Sequence, residues 1–371
     1  MFVAWRDLRF AKGRFALMGA VVVLITLLVG LLSGLTAGLA RENTSAITGL
    51  PADRLAFAAP PDGRSVSFTD STVPERAWLT WARQPGVTSA EPLGIRTLNA
   101  GAGDRTAAVS AFGVGPDSGL APAGVGAGRV VLSGKAADAL GAGAGDTVRL
   151  GGVEVTVAAV RGDASYSHTP VVWTALADWQ GLGHGGGGTA AGSGSGSGSG
   201  AGATVIALRT DGVSGADLAA GDRAAGTRTL TRDDALTAIG SYRAENGSLQ
   251  LMRGFLFVIS ALVIGAFFTV WTIQRAPDIA VLKALGAGTP YLLRDALGQA
   301  VVILAAGTGL GTVLAVGIGG LVSGGDVPFV LDAPTVLVPA AVLIALGAFG
   351  AALSVRRITA VDPLTALGSA R

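Results

Sequence analysis

The sequence contains no cysteine, and only two of its 371 residues, His168 and His184, are histidine. Without cysteine, disulfides, zinc fingers and thiol catalysis are excluded. Two histidines leave little room for a metal site built from imidazoles. Charged residues are also scarce, at 14% of the chain against a usual share of about 25%. The net charge of +2 argues against a nucleic-acid-binding protein.

Apolar residues make up 50% of the chain, and with so little charge this predicts a membrane protein. Four stretches lack charge over about 20 residues, the length that crosses a bilayer as a helix. The predicted spans are 15–40, 254–274, 296–322 and 333–355.

The distribution of Lys and Arg beside the spans predicts their orientation. Basic residues concentrate in 1–14, 275–295 and 356–371, whereas the connection after residue 322 contains Asp326 and Asp332 and no basic residue. Both termini are therefore expected in the cytoplasm of a plasma-membrane protein, with 41–252 outside the cell. Segment 1–14 alternates aromatic and basic residues, which is typical of an interfacial helix, although a simple basic flank remains an alternative.

The outer segment 41–252 is expected to form an α+β domain with mostly antiparallel strands. Short apolar runs bounded by glycine predict strands, and Gly151–Gly152 predicts a hairpin turn between two of them. The expected strands are Arg129–Leu132, Thr147–Leu150, Val153–Val160, 171–174 and 204–209, with helices at Gly134–Leu140 and 176–179. Segment 185–203 is almost pure Gly, Ser and Ala, which predicts a flexible surface loop.

Small residues recur every four positions in two spans. Gly30, Gly34 and Gly38 share a face of the first span, and Gly307, Gly311, Ala315 and Gly319 share a face of the third. Small residues at this spacing let helix backbones approach closely. The pattern fits packing within one chain or a seam between two copies.

Two further segments flank the second span. Residues 233–250 have helical periodicity, which places Tyr242 and Glu245 on one helix face. Residues 275–295 predict a short amphipathic helix that is suited to docking a cytoplasmic partner. Its candidate docking residues are Ile279, Leu282, Lys283, Leu285 and Gly286. The chain has no phosphate-binding G-x-x-x-x-G-K-[ST] loop, so it is not itself a P-loop ATPase.

The string from Thr272 to Ala287, which overlaps the predicted docking helix, resembles the coupling segment of FtsX-like and MacB-like ABC transporter permeases. The string Val130-Val131-Leu132-Ser133, with Gly145-Asp146-Thr147-Val148 after it, is similar to the periplasmic core domain of that family. The ending from Arg356 to Leu367 resembles the family's C-terminal pattern. The resemblance implies a homodimer of this chain in the lipid bilayer with two cytoplasmic ATPase subunits, which bind the ATP. It also implies mechanotransmission, in which ATPase closure moves the outer domains, and no intrinsic cofactor.

Four shorter strings are similar to heme-efflux permeases within that family. They are 38–45, Tyr166-Ser167-His168, 241–245 and 266–274. The resemblance therefore implies heme as the transported ligand. Tyr, His and Met can ligate heme iron, carboxylates offer oxygen ligands, and aromatic rings can wall a flat porphyrin. The candidate heme residues are Tyr242, Glu245, Tyr166, His168, Glu42, Met252, Phe267 and Phe268.

Other functions remain open at the level of sequence. Some relatives of this family regulate cell-wall hydrolases through the outer domain and transport nothing. Others extract lipid-linked substrates, and another amphipathic cargo is compatible with the same architecture. No catalytic constellation is visible, so the chain is expected to be a transport subunit and not an enzyme.

Overall fold

The computed structural model describes residues 12–61, 63–182, 202–274, 281, 286, 288–322 and 327–359. The chain divides into two compact units. The sheet unit is Ala40–Asn246, and the helical unit combines the chain up to Leu39 with the chain from Gly247 onward. Helix α1 (Lys12–Thr48) contributes its first part to the helical unit and its last part to the sheet unit.

The sheet unit contains short helices and twelve strands among the described residues. The helices are α2 (Glu75–Trp81), α3 (Gly134–Leu140), α4 (Leu176–Gly181), α5 (Gly215–Ala225) and α6 (Arg232–Ala235). The strands are β1 (Arg54–Ala58), β2 (Val73–Pro74), β3 (Val87–Ala102), β4 (Arg105–Val114), β5 (Arg129–Leu132), β6 (Thr147–Leu150), β7 (Val153–Val160), β8 (Ser165–Tyr166), β9 (Thr169–Ala175), β10 (Gly202–Ala203), β11 (Val205–Thr210) and β12 (Thr227–Thr231).

One mixed sheet forms the centre of this unit. Its strand order is β12-β1-β11-β3-β4-β9-β5-β7-β6, with β8 paired to β9 and an additional pairing of β3 with β6. The pairs β4–β9 and β5–β7 are parallel, and the other pairs of this sheet are antiparallel. The expectation of an α+β domain with mostly antiparallel strands is confirmed.

The hairpin predicted at Gly151–Gly152 is present. Leu150 pairs with Val153, which leaves a two-residue loop whose φ angles are +57° and +93°. Glycine adopts positive φ without the steric penalty of a Cβ, and a two-residue hairpin loop needs such angles to follow the twist of its strands.

Five aromatic side chains pack against one another within the sheet core. Phe57, Phe68, Tyr166, Phe112 and Trp173 form a continuous series of edge-to-face contacts, with ring centroids 4.8, 5.7, 5.7 and 5.0 Å apart. Each such ring contact contributes about 0.5–1.5 kcal/mol beyond the burial of its area. The series fixes β1, β4, β8 and β9 relative to one another.

The helical unit is built from α1 and three later helices, α7 (Gly240–Gln274), α8 (Thr289–Val322) and α9 (Ala333–Thr359). The first residues of α7, up to Asn246, belong to the sheet unit. All four are long and apolar enough to cross a membrane, which confirms the four predicted spans. One buried cluster of this unit brings together Met18 of α1, Phe268 and Trp271 of α7, and Ala300 and Leu304 of α8.

The two small-residue faces pack against each other within one chain. An added Cβ at Gly307 would lie 2.8 Å from Val22 Cγ1, and one at Gly30 would lie 2.9 Å from Ala315 Cβ. At Gly311 an added Cβ would lie 2.7 Å from the carbonyl oxygen of Val23. Real Cβ atoms do not approach so closely, so glycine is required where α1 and α8 touch. Of the two alternatives that the glycine spacing left open, these faces therefore adopt packing within one chain.

The connection between α8 and α9 completes this contact. The ring of Phe329 lies where side chains at Gly34 and Gly319 would otherwise be, and Pro328 covers Gly38. The Val330 N–H donates to the carbonyl oxygen of Gly34 at 3.1 Å. The small-residue face of α1 is thus covered by α8 and by this connection.

The structure corrects one prediction and leaves others untested. Residues 233–250 are not one helix, because α6 is followed by a 3₁₀ turn over Leu236–Ala238 and by extended backbone at Ile239. Ala238 and Ile239 are buried in the sheet core, and this packing outweighs local helical preference. Three segments for which the sequence makes predictions lie outside the described residues. They are residues 1–11 of the predicted interfacial helix, residues 185–201 of the predicted Gly/Ser loop, and the tail from residue 360.

The contact between α1 and α8 predicts opposite outcomes for two neighbouring glycines. Gly311→Ala forces α1 and α8 apart and is expected to cost about 1–3 kcal/mol as an overpacked substitution. Gly309→Ala adds its methyl group where nothing lies within 4 Å and is expected to be neutral or slightly stabilising. Thermal unfolding of the purified chain in detergent measures both. Equal melting temperatures for the two variants would contradict the assigned contact.

Candidate functional site

Five polar residues from three distant parts of the chain form a hydrogen-bonded group in the sheet unit, here called the polar cluster. Asn43 comes from the end of α1, Ser167 and His168 from the turn between β8 and β9, and Ser241 and Glu245 from the start of α7. All five lie within the sheet unit.

The turn that carries His168 has a strained backbone. Ser165 pairs with Pro170 and Tyr166 with Thr169, so Ser167 and His168 alone form the hairpin loop. Their φ angles are +49° and +62°, and they are the described non-glycine residues with positive φ. Such conformations cost a non-glycine residue about 1–3 kcal/mol and persist only where the surroundings enforce them.

Hydrogen bonds to α1 and α7 enforce this conformation. The Ser167 N–H donates to the carbonyl oxygen of Asn43 at 3.0 Å. The hydroxyls of Ser167 and Ser241 are 2.9 Å apart, and Ser241 donates to Asn43 Oδ1 at 2.8 Å. The turn is therefore joined to both helices by its backbone and by a side chain.

His168 and Glu245 form an ion pair when the imidazole is protonated, and a hydrogen bond from the imidazole to the carboxylate otherwise. His168 Nε2 lies 2.9 Å from Glu245 Oε2 and 3.1 Å from Oε1. Asn43 Nδ2 also donates to Glu245 Oε2, at 3.3 Å. Nε2 also lies 3.1 Å from Asn43 Nδ2, which can only donate, whereas the carboxylate can only accept. The charged acceptor at the shorter distance outweighs the neutral amide, so the proton of a neutral imidazole is placed on Nε2 and the lone pair on Nδ1. A carboxylate that fixes the tautomer in this way is typical of metal-ligating histidines.

Asn43 is the buried centre of the cluster. It is 1% exposed, whereas the side chains of His168 and Glu245 are 31% and 44% exposed. A buried amide requires hydrogen-bond partners, and Asn43 has them in Ser241 and Glu245. The cluster thus has a closed polar base and an imidazole face that reaches solvent.

Three other predicted heme residues of the sheet unit lie apart from this group of hydrogen bonds. Tyr166 is buried among Phe68 and Phe112, and burial raises the pKa of its phenol above the usual value. Tyr242 is partly buried against the same core. Glu42 forms an exposed ion pair with Lys135 at 2.5 Å.

The remaining predicted residues belong to the helical unit or to undescribed segments. Phe268 is buried and Phe267 partly buried in the cluster of that unit, whereas Met252 is 52% exposed. Of the candidate docking residues, Ile279, Leu282, Lys283 and Leu285 lie outside the described residues. Gly286 is described and has φ +93°, the left-handed conformation that fits a helix stop. In the described part of the chain, no group of three or more His, Asp or Glu could hold a metal ion.

Comparison with known proteins places the architecture in a family. The model of the MacB-like periplasmic core domain matches residues 16–221, and that of the FtsX-like permease C-terminal region matches residues 251–363. The chain belongs to the MacB-like and FtsX-like permease family. Taken with its four apolar helices, this makes it a multi-pass protein of the plasma membrane.

Several relatives of the permease carry functional names. A protein of Staphylococcus epidermidis, provisionally named hemin transport system permease protein HrtB, is 34% identical over 38% of this chain and 41% of its own length. The corresponding protein of Staphylococcus haemolyticus is 38% identical over 38% of this chain and 40% of its own length. The match therefore covers less than half of the length of each of these two relatives. An uncharacterized ABC transporter permease of Mycobacterium tuberculosis is 24% identical over 99% of both chains.

Among solved structures, the periplasmic region of MacB from Actinobacillus actinomycetemcomitans is 14% identical and covers 51% of this chain and 92% of that one. Its TM-score is 0.36.

Sequence reasoning on the permease selected His168 and Glu245 but missed the residues that hold them together. Asn43, Ser167 and Ser241 lie in three of the strings that resemble heme-efflux permeases, yet none was singled out as functional. The local sequence gives little signal, because Asn43 stands between Glu42 and Thr44 in a polar stretch at the end of an apolar helix. Its partners could not be identified, because Ser241 is 198 positions away in sequence.

The polar cluster predicts that Asn43 is structurally important. Asn43→Ala leaves Ser241 and Glu245 without a buried partner and is expected to destabilise the permease by about 1–3 kcal/mol. Asn99→Ala, at an exposed asparagine of β3, is the matched control and should change stability little. Thermal unfolding measures both, and an Asn43→Ala variant as stable as the control would show that the cluster contributes nothing to folding.

Proposed function

We propose that the permease is the membrane subunit of an ABC exporter that expels heme from the membrane. It works as a homodimer with two separate ATPase subunits, with both termini and segment 275–295 in the cytoplasm. ATP-driven closure of the ATPases moves the helices and the sheet unit, which presses the cargo outward. Membership of the permease family and the names of relatives support this proposal.

The observation that carries the heme assignment is the orientation of His168. Glu245 accepts from Nε2, and in the described part of the chain no hydrogen bond reaches Nδ1. A neutral imidazole nitrogen with a free lone pair is a common axial ligand of heme iron. The strained turn and Asn43 hold the ring in place, so ligation would require little further ordering.

Within this proposal the other residues have different roles. His168 is the candidate iron ligand, and Glu245 is a positioning residue that sets the tautomer of the ring. Tyr242, partly buried on the same helix, supplies an aromatic surface beside the cluster. No ligand role is assigned to Tyr166, because its phenol is buried and the raised pKa disfavours the phenolate.

Substitutions in the His168–Glu245 pair test the heme assignment. His168→Ala is expected to remove the shift in hemin absorbance that binding to the purified permease produces. Glu245→Gln keeps the ligand but loses the charged partner, and a roughly 10- to 100-fold weaker affinity is expected, as for other partners of a ligating histidine. Absorbance titration with hemin measures both effects.

Glu75→Gln, at an exposed glutamate in the first turn of α2, is the matched control and should bind hemin like the unmodified permease. Unchanged hemin spectra in His168→Ala would refute the ligand assignment. If the complex with its ATPase also hydrolyses ATP at a rate independent of hemin, and a deletion strain tolerates hemin normally, heme is not the cargo. Capture of a cell-wall hydrolase by such a permease would then favour the regulatory alternative.

A further inference from the structure

A concave site of the sheet unit lies between the loop that follows β1 and the start of α7. It has a volume of about 420 Å³ and is here called the arginine cleft. Its polar lining consists of Arg64, Ser65, Ser67, Asp70, Thr237 and Arg243. None of these residues belongs to the polar cluster.

The two walls of the cleft are fixed to each other and to the core. The Phe68 N–H donates to the carbonyl oxygen of Ala238 at 3.3 Å, which joins the loop to the turn before α7. Phe68 and Ala238 are each 4% exposed, and Ile239 is 1% exposed. Burial of these side chains holds the walls in place, so the cleft is preformed.

Within the described part of the chain, the arginines of the cleft have no carboxylate partner. Arg64 and Arg243 are exposed, and neither forms an ion pair with any described residue. Arg243 Nη1 donates to Ser65 Oγ at 3.1 Å, which directs the guanidinium along the cleft wall. Because Ser65 accepts this bond with its oxygen, its own proton is available to a ligand. Guanidinium groups with hydroxyl donors beside them are suited to carboxylate and phosphate oxygens.

One carboxylate, that of Asp70, also lines the cleft. Two guanidiniums against one carboxylate leave the lining with a net positive charge. Asp70 therefore weakens the attraction of an anion without reversing it, and its removal should strengthen binding.

We propose that the arginine cleft binds the anionic group of an amphiphile, either the carboxylates of a porphyrin or the phosphate of an acidic lipid. Arg64 and Arg243 contact the anion, and Ser65 donates a hydrogen bond to it. The porphyrin source rests on the proposed function, whereas the lipid source does not. Arg243 lies two residues before Glu245 on α7, so one helix carries both the anion site and part of the polar cluster.

Metal-free protoporphyrin IX and its dimethyl ester test the cleft without any contribution from iron ligation. The full-length permease is placed in nanodiscs of zwitterionic lipid, and porphyrin fluorescence reports binding. The free acid is expected to bind at least five-fold more tightly than the ester. Arg64→Gln combined with Arg243→Gln should abolish this difference, and Asp70→Asn should enlarge it.

Arg83→Gln removes an exposed arginine elsewhere in the sheet unit and should leave the ratio of the two affinities unchanged. The lipid source is tested by native mass spectrometry in nanodiscs that contain phosphatidylglycerol. If the lipid is the ligand, the unmodified permease retains phosphatidylglycerol and the double arginine variant loses it.

The outcomes separate this proposal from the heme assignment. Arginine-dependent retention of phosphatidylglycerol with no porphyrin binding supports the cleft and counts against heme. The opposite result is a hemin spectrum that depends on His168, while neither the preference for the free acid nor the retention of lipid depends on the two arginines. This result supports heme as the cargo and overturns the proposed anion site in the cleft. Failure of Asp70→Asn to strengthen binding of either anion, with intact folding, also overturns it.

Discussion

The close approach of α1 and α8 is the constraint on which the helical unit depends. At Gly30, Gly307 and Gly311 the two helices leave no room for a Cβ atom. Apolar side chains gain little by leaving lipid, so helices in a bilayer associate through close backbone packing and not through burial of large side chains. The same α1 face receives Phe329, so one line of small residues determines the position of α8 and of the connection after it.

The sheet unit is stabilised by the burial of large apolar side chains. Its core contains fully buried residues such as Trp81, Phe57 and Phe112, and the hydrophobic effect favours their removal from water. Helix α1 serves both units because its sequence changes along its length. Small residues occupy the contact face up to Gly38, whereas Ile47 is fully buried in the sheet core beyond it. One helix therefore meets two different packing requirements without a break in its hydrogen bonding.

Local patterns in the sequence were sufficient for the spans, for β5 to β7 and for the hairpin at Gly151–Gly152. Each depends on neighbouring residues, either as an apolar run or as a turn that needs positive φ. Contacts between distant segments could not be obtained in this way. The glycine spacing identified a contact face but not its partner, and the break at Ile239 follows from burial in a core that only the folded chain creates. The pairing of His168 with Glu245 joins residues 77 positions apart and has no local signature.

The strained turn explains why the polar cluster has its composition. Gly151–Gly152 shows that this chain uses glycine where a hairpin needs positive φ and nothing else, yet the turn between β8 and β9 has Ser167 and His168 in comparable conformations. Glycine there would relieve the backbone but would lose both the hydroxyl that meets Ser241 and the imidazole that meets Glu245. The hairpin at Gly151–Gly152 avoids backbone strain, whereas the hairpin at Ser167 and His168 retains it. We infer that the side chains of Ser167 and His168, and not the geometry of the turn, account for these two residues.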